Sequence, residues 1–112
     1  MGTFILKNAY LAQPGITDTD LYTCPANTQA MVKKCTACND TSTATTMTFN
    51  KIPAAGSAAV TNLVINARPL GPYETYECPE IVGKILTAGQ KLSGKMGAAD
   101  QVTVDLDVIE IV

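Results

Sequence analysis

The sequence contains no histidine and no tryptophan, and aromatic residues make up only 5% of it. Without histidine, the side chain best tuned for proton transfer near neutral pH is missing. No Gly-x-Ser-x-Gly elbow is present, and no glycine-rich loop runs into a lysine, so neither a nucleophile elbow nor a phosphate cradle has a motif to carry it. Charge is scarce as well, at 16% of residues, against about 25% in an average soluble domain. The net charge of −2 comes from 8 basic and 10 acidic residues, and Lys33-Lys34 is the one basic pair. Nucleic-acid binding needs clustered Lys/Arg to displace counterions from phosphates, and such a footprint is absent. Long apolar runs are missing too: no segment approaches the roughly 20 residues that cross a bilayer. At the N-terminus only Phe4, Ile5 and Leu6 form an apolar stretch, shorter than a secretory signal requires, and Leu6 stands where a myristoylation motif wants Ser or Thr. These absences lead us to expect a non-enzymatic chain made in a cytoplasm, with no cofactor and no nucleic-acid or membrane partner.

What the 112 residues do contain is short β-type runs separated by turn residues, with no apolar helical periodicity sustained over three turns. Leu92, Gly94 and Met96 share one face of a strand, opposite Lys91, Ser93 and Lys95. Val102, Val104, Leu106 and Val108 line one face of the last strand, opposite Thr103, Asp105 and Asp107. There the parity switches, because Ile109 and Ile111 are apolar and Glu110 lies between them. A bulge near Val108, or burial of both faces, would account for this. Phe4, Leu6 and Tyr10 fall on one face of a first segment. Residues 29–38 read as a strand ending in the Asn39-Asp40-Thr41-Ser42 turn, whose sequon we read as a turn only. Met47 and Phe49 share one face of a Thr-rich strand. Breaks fall at Pro53-Ala-Ala-Gly56, Pro69-Leu-Gly-Pro72 and Thr87-Ala-Gly-Gln90, with further strands over residues 60–66 and 73–78. The expected fold is therefore all-β: one domain over residues 1–112, a two-sheet β-sandwich of jelly-roll type. It should have seven to eight short antiparallel strands, a core over 21–112 and an N-terminal arm over 1–20.

Several side chains carry competing readings. Cys24, Cys35, Cys38 and Cys78 can be reduced core thiols, can include a Cys24–Cys78 disulfide suggested by matching strand-end positions, or can hold zinc. Zinc is disfavoured because Cys24 and Cys78 stand alone and a spacing of three in a strand sends Cys35 and Cys38 to opposite faces. Asp105 and Asp107 read as a solvated strand face rather than an acid/base or calcium pair. Tyr10, Tyr22, Tyr73 and Tyr76 read as core and rim residues rather than a sugar-stacking platform. Tyr22-Thr-Cys-Pro25 is echoed by Tyr76-Glu-Cys-Pro79, either by coincidence or because the two halves of a jelly roll are equivalent.

The order of Leu21-Tyr-Thr-Cys-Pro-Ala-Asn27, Ala30-Met-Val-Lys-Lys34, Asn39-Asp-Thr-Ser42 and Thr45-Thr-Met-Thr-Phe49 resembles small structural proteins of tailed bacteriophages. The likeness continues through Gly71-Pro-Tyr-Glu-Thr-Tyr76, Leu86-Thr-Ala-Gly-Gln-Lys-Leu92 and Ala98-Ala-Asp-Gln-Val-Thr-Val104. It covers about residues 21–112 and rests on structural residues. Some proteins of that kind are capsid decoration, or cement, proteins with a jelly-roll core. Others belong to tail, neck or fibre assemblies. The resemblance implies a place on the outer capsid surface, the major capsid protein as partner and self-association into dimers or trimers. Residues outside the match, Phe4, Ile5, Leu6, Tyr10 and Leu11, are the expected partner contacts. A carbohydrate- or ligand-binding module is the remaining alternative.

Overall fold

The computed structural model describes residues 2–112, in which nine β-strands follow one another: β1 (Phe4–Ala12), β2 (Thr19–Thr23), β3 (Gln29–Asn39), β4 (Thr45–Ile52), β5 (Leu63–Leu70), β6 (Thr75–Tyr76), β7 (Ile85–Thr87), β8 (Lys91–Met96) and β9 (Val102–Ile111). A single 3-10 turn, Val60–Asn62, precedes β5. One sheet runs β1-β9-β3-β6, with β7 also paired to β3, and the other runs β2-β8-β4-β5. Every pairing is antiparallel: β1 with β9, β2 with β8, β3 with β6 and β7, and β4 with β5, with β9 also paired to β3 and β8 to β4. That nesting, folded so that partners alternate between two facing sheets, is the jelly roll. Strands β6 and β7 pair with opposite ends of β3, at Ala37–Cys38 and Gln29–Met31. The nine strands exceed the seven to eight expected, because β6 and β7 share one strand position that the chain interrupts.

The interruption has local causes. After Tyr76 the chain turns at Cys78 (φ 48°) and Gly83 (φ 87°), the second of which favours glycine. Between them Ile81 is driven fully into the core. The chain then rejoins β3 through Val32 N–H to Lys84 O at 2.9 Å and Gly83 N–H to Val32 O at 2.8 Å.

Alternation decides which side chains meet between the sheets. Val102, Val104, Leu106 and Val108 point inward as the sequence predicts, against Ala30, Val32, Cys35 and Ala37 of β3 and Met47 and Phe49 of β4. Gly94 faces Phe49 across the β4–β8 pair, and a Cβ there would lie 2.8 Å from the ring. The absent side chain is what makes room for the phenyl group. Strand β5 runs on to Leu70 through the predicted break, because it is an edge strand and Pro69 has no ladder donor to supply.

Two expectations on parity are corrected. Strand β9 alternates without a break, so Glu110 points inward and Ile109 and Ile111 outward. The bulges lie instead in both neighbours at one level, at Ala9 between Asn8 and Tyr10 and at Lys33 between Val32 and Lys34. The extra residue in β1 also separates Tyr10 from Phe4 and Leu6. Tyr10 pairs with inward Leu106 and packs on the core, whereas Phe4 and Leu6 pair with outward Ile111 and Ile109.

The turn after β3 is built around Asn39, which is fully buried. Its amide donates to Thr43 O at 2.9 Å, Gly71 O at 3.1 Å and Leu70 O at 3.4 Å. Its Oδ1 accepts from Thr41 N–H at 3.1 Å and Thr41 Oγ1 at 2.8 Å. Burial and saturation make this Asn39-Asp-Thr41 sequon a structural turn.

Candidate interaction surface

Residues 4–12, placed within the expected arm, lie along β9 as the edge strand of the larger sheet. Thr3 and Val112 exchange both main-chain hydrogen bonds, at 2.7 and 3.0 Å. In an antiparallel ladder the next residue then turns both polar groups away, and so does every second residue up to the bulge. Phe4 and Leu6 therefore present their N–H and C=O groups to the free side. The other edges are blunted: β6 and β7 are two and three residues long, β2 carries a register shift next to Leu21, and β5 contains two shifts and Pro69. Strand β1 has nine residues, no proline and a single bulge. Its lysine does not guard the edge either, because Lys7 Nζ lies 3.5 Å from Glu110 Oε2 and 5.9 Å from the Tyr22 ring centroid.

Glu110 closes that end of the sandwich, where Tyr22 donates its hydroxyl hydrogen to Glu110 Oε2 at 2.5 Å. Burial, then the hydrogen bond to Glu110, push the Tyr22 phenol well above its ordinary range, so it remains a donor. This polar contact was not foreseen, since alternation alone places a glutamate between two isoleucines without saying which of them face water.

The outward side of the sheet β1-β9-β3-β7 carries a second feature. The registers align Leu6, Ile109, Met31 and Ile85 in one row, with Phe4 and Ile111 in the row below. Phe4 is 73% exposed, Leu6 72%, Ile85 55% and Met31 37%. An apolar row across four strands is a contiguous patch, unlike the scattered exposure that soluble proteins normally show. One level up the face turns charged. Asp105 and Asp107 stand on β9, and Asn8 Nδ2 donates to both carboxylates at 2.8 Å. On β3, Lys34 stands at the level of Asp107 next to the bulged Lys33, and Thr36 at that of Asp105, with Lys34 Nζ 3.6 Å from Glu77.

Of the expected partner contacts, Phe4, Ile5, Leu6 and Leu11 are exposed on β1, while Tyr10 is half-buried against the core. Met31, Ile85, Ile109 and Ile111 escaped the sequence reading. The signal was present in the apolar parity of Ile109 and Ile111, but only the register shows that Ile109, Met31 and Ile85 join Leu6 while Ile111 joins Phe4.

All four cysteines are free thiols, so the optional Cys24–Cys78 bridge is not formed. Cys24 Sγ donates to Thr28 O at 3.3 Å, and Cys78, whose Sγ donates to Tyr76 O at 3.7 Å, instead lies beside Cys35. The reason is register: Ala37 pairs with Tyr76, and two residues further along the same inward face bring Cys35 to Cys78. The Cys78 contact, followed by burial, pushes the Cys35 thiol up, and burial raises Cys24. Cys38 points outward, as its spacing from Cys35 predicts, and is partly exposed. We expect an aromatic disulfide reagent to modify Cys38 within minutes in the native chain and the other three only in denaturant. Peptide mapping of the labelled thiols reads this directly, and rapid labelling of Cys35 would contradict the packing.

The two Tyr-x-Cys-Pro stretches end the second and sixth strand positions, one in each sheet, as equivalent halves of a jelly roll would place them. Tyr22 bonds Glu110, and Tyr76 bonds Glu80 while its ring packs 3.6 Å from the Arg68 guanidinium. Neither they nor the other tyrosines form a shared platform: Tyr73 stands exposed in the turn before β6, and Tyr10 sits on β1.

No family profile and no characterised protein sequence matches the chain. Among solved structures, that of infectious bursal disease virus, Gx strain, aligns with a TM-score of 0.51 and 14% identity over 100% of this chain and 33% of that one. A VP2 subviral particle of infectious bursal disease virus aligns with a TM-score of 0.45 and 14% identity over 99% of this chain and 33% of that one. The Tobacco streak virus coat protein dimer aligns with a TM-score of 0.42 and 8% identity over 98% of this chain and 84% of that one. The chain thus spans about a third of the length of the first structure, and what it shares with it is the fold.

Proposed function

We propose that this chain is a structural component of a virion, a capsid decoration (cement) protein that docks on the outer shell between major capsid subunits and stabilises the head. The observation that carries this reading is the open edge of β1, an apolar nine-residue strand with outward main-chain groups at Phe4 and Leu6 and no protecting charge. Such an edge adds itself to a neighbour's sheet, with main-chain hydrogen bonds supplying affinity and alternate side chains supplying fit. The fold shared with a virus structure and the low charge of the chain support a role in contacts with other coat subunits.

The test mixes purified chain with capsids assembled without it, then counts bound copies by quantitative gel and cryo-imaging. Hundreds of copies spread over the shell, with raised resistance to heat and osmotic shock, are the expected result. A few copies at a vertex or tail move the protein to the tail assembly, and no binding with equal capsid survival overturns the virion reading. Leu6→Pro removes one outward N–H without touching the ladder to β9. We expect it to weaken capsid binding about tenfold, which corresponds to roughly 1.4 kcal/mol. Unchanged binding would release the β1 edge from this role.

A further inference from the structure

We propose that the outward face of the sheet β1-β9-β3-β7 is a homodimer interface, covered by a second copy of this chain packed face to face about a two-fold axis. The axis runs parallel to the strands, midway between β9 and β3.

The apolar row sets the centre. Leu6, Ile109, Met31 and Ile85 occupy four successive strands, so the midpoint of the row falls between Ile109 and Met31. Face-to-face packing of two copies requires an axis lying within the interface, and two orientations keep row upon row. An axis running along the row reverses the strand direction, and Asp107 and Lys34 would then land on the partner's Ile111 and Gln29. That buries the Asp107 carboxylate against apolar Ile111 and leaves Lys34 without an opposite charge, which is costly. An axis parallel to the strands keeps every level. It sets Ile109 on the partner's Met31, Leu6 on the partner's Ile85, and Asp107 on the partner's Lys34, each contact made twice. Because β9 holds Asp107 where β3 holds Lys34, beside the bulged Lys33, the acidic position of each copy lies over a basic one. The surface is complementary to itself in charge as well as in shape, which an isologous contact requires.

Its size sets the strength. Four strands spaced about 4.8 Å apart, over the five or six residues that share these levels, give a footprint on the order of 400 Å² per copy. Doubled over the two copies, that is about 800 Å² in total, below the standard size of stable interfaces, and suits a weak, reversible dimer. The arrangement leaves the two β1 edges free on opposite sides, so the dimer offers a lattice two docking edges and gains from avidity.

The experiment is sedimentation velocity of the full chain from about 1 to 200 μM, without capsids, so that its outcome is separate from that of the capsid assay. A reversible monomer–dimer equilibrium is expected, abolished by Ile109→Glu and by Met31→Glu. Asp107→Lys and Lys34→Asp should each weaken it several-fold, and the two together should restore most of the affinity. The restoration keeps the test valid even if a glutamate on the row disturbs folding, which circular dichroism would show. A chain that stays monomeric at 200 μM overturns the proposal. So does a dimer indifferent to Ile109→Glu, or a double charge swap no better than either single one.

Discussion

Phe49→Ala is expected to lower the unfolding free energy by about 3–5 kcal/mol, the cost typical of emptying a fully buried aromatic site. Phe49 is completely buried on β4, and its ring lies over Gly94 of β8 and next to Leu21 of β2. Little can collapse into the space, because the floor beneath the ring is main chain. Against a native reserve of about 5–15 kcal/mol this is a large fraction, and the chain should melt on the order of 15 °C lower or more. The partner substitution sharpens the test. Gly94→Ala introduces a Cβ 2.8 Å from Phe49 Cε1 and 3.1 Å from Leu21 Cδ1, and should cost about 1–3 kcal/mol by overpacking. Combined with Phe49→Ala, that Cβ enters the vacated volume, so the double variant should be more stable than the sum of the two losses implies. Urea titration followed by circular dichroism measures all three. Simple additivity would mean that ring and glycine are not in contact.

Asn39→Ala is expected to cost about 2–4 kcal/mol, because several buried main-chain groups lose their partner together. The Asn39 amide holds the carbonyls of Thr43, Leu70 and Gly71, and its Oδ1 holds Thr41, so one side chain ties the β3–β4 turn to the end of β5. Asn39→Asp discriminates this account from simple loss of packing. It preserves volume but turns a carboxylate oxygen toward three carbonyl oxygens, so it should be no more stable than alanine at pH 7. An aspartate variant close to the parent in urea midpoint would show that the donor side of the amide carries little.

The sequence was informative where the physics is local. Period-two alternation depends only on consecutive residues, so Val102 through Val108, Met47 with Phe49, and Leu92 with Met96 were legible as inward faces. The opposite orientations of Cys35 and Cys38 followed from the same rule. Reading failed where the presence or absence of a one-residue slip decided the face. The Ala9 bulge moved Tyr10 off the face of Phe4 and Leu6, and the smooth run of β9 turned Ile109 and Ile111 outward. An apolar parity switch is ambiguous by itself: a bulge, burial on both faces and an exposed apolar row all write the same letters.

What the sequence by itself determined is the all-β class, the jelly-roll type and the inward half of most strands, because side-chain alternation and turn chemistry act over a few residues. Which edge stays open, which apolar residues line up across four strands and which sulfur meets Cys78 were decided only by the tertiary structure. Those outcomes depend on register between strands far apart in the chain, such as Leu6 beside Ile109 and Ile109 beside Met31. Register is set by closing the whole core at once, and no local stretch of sequence contains it.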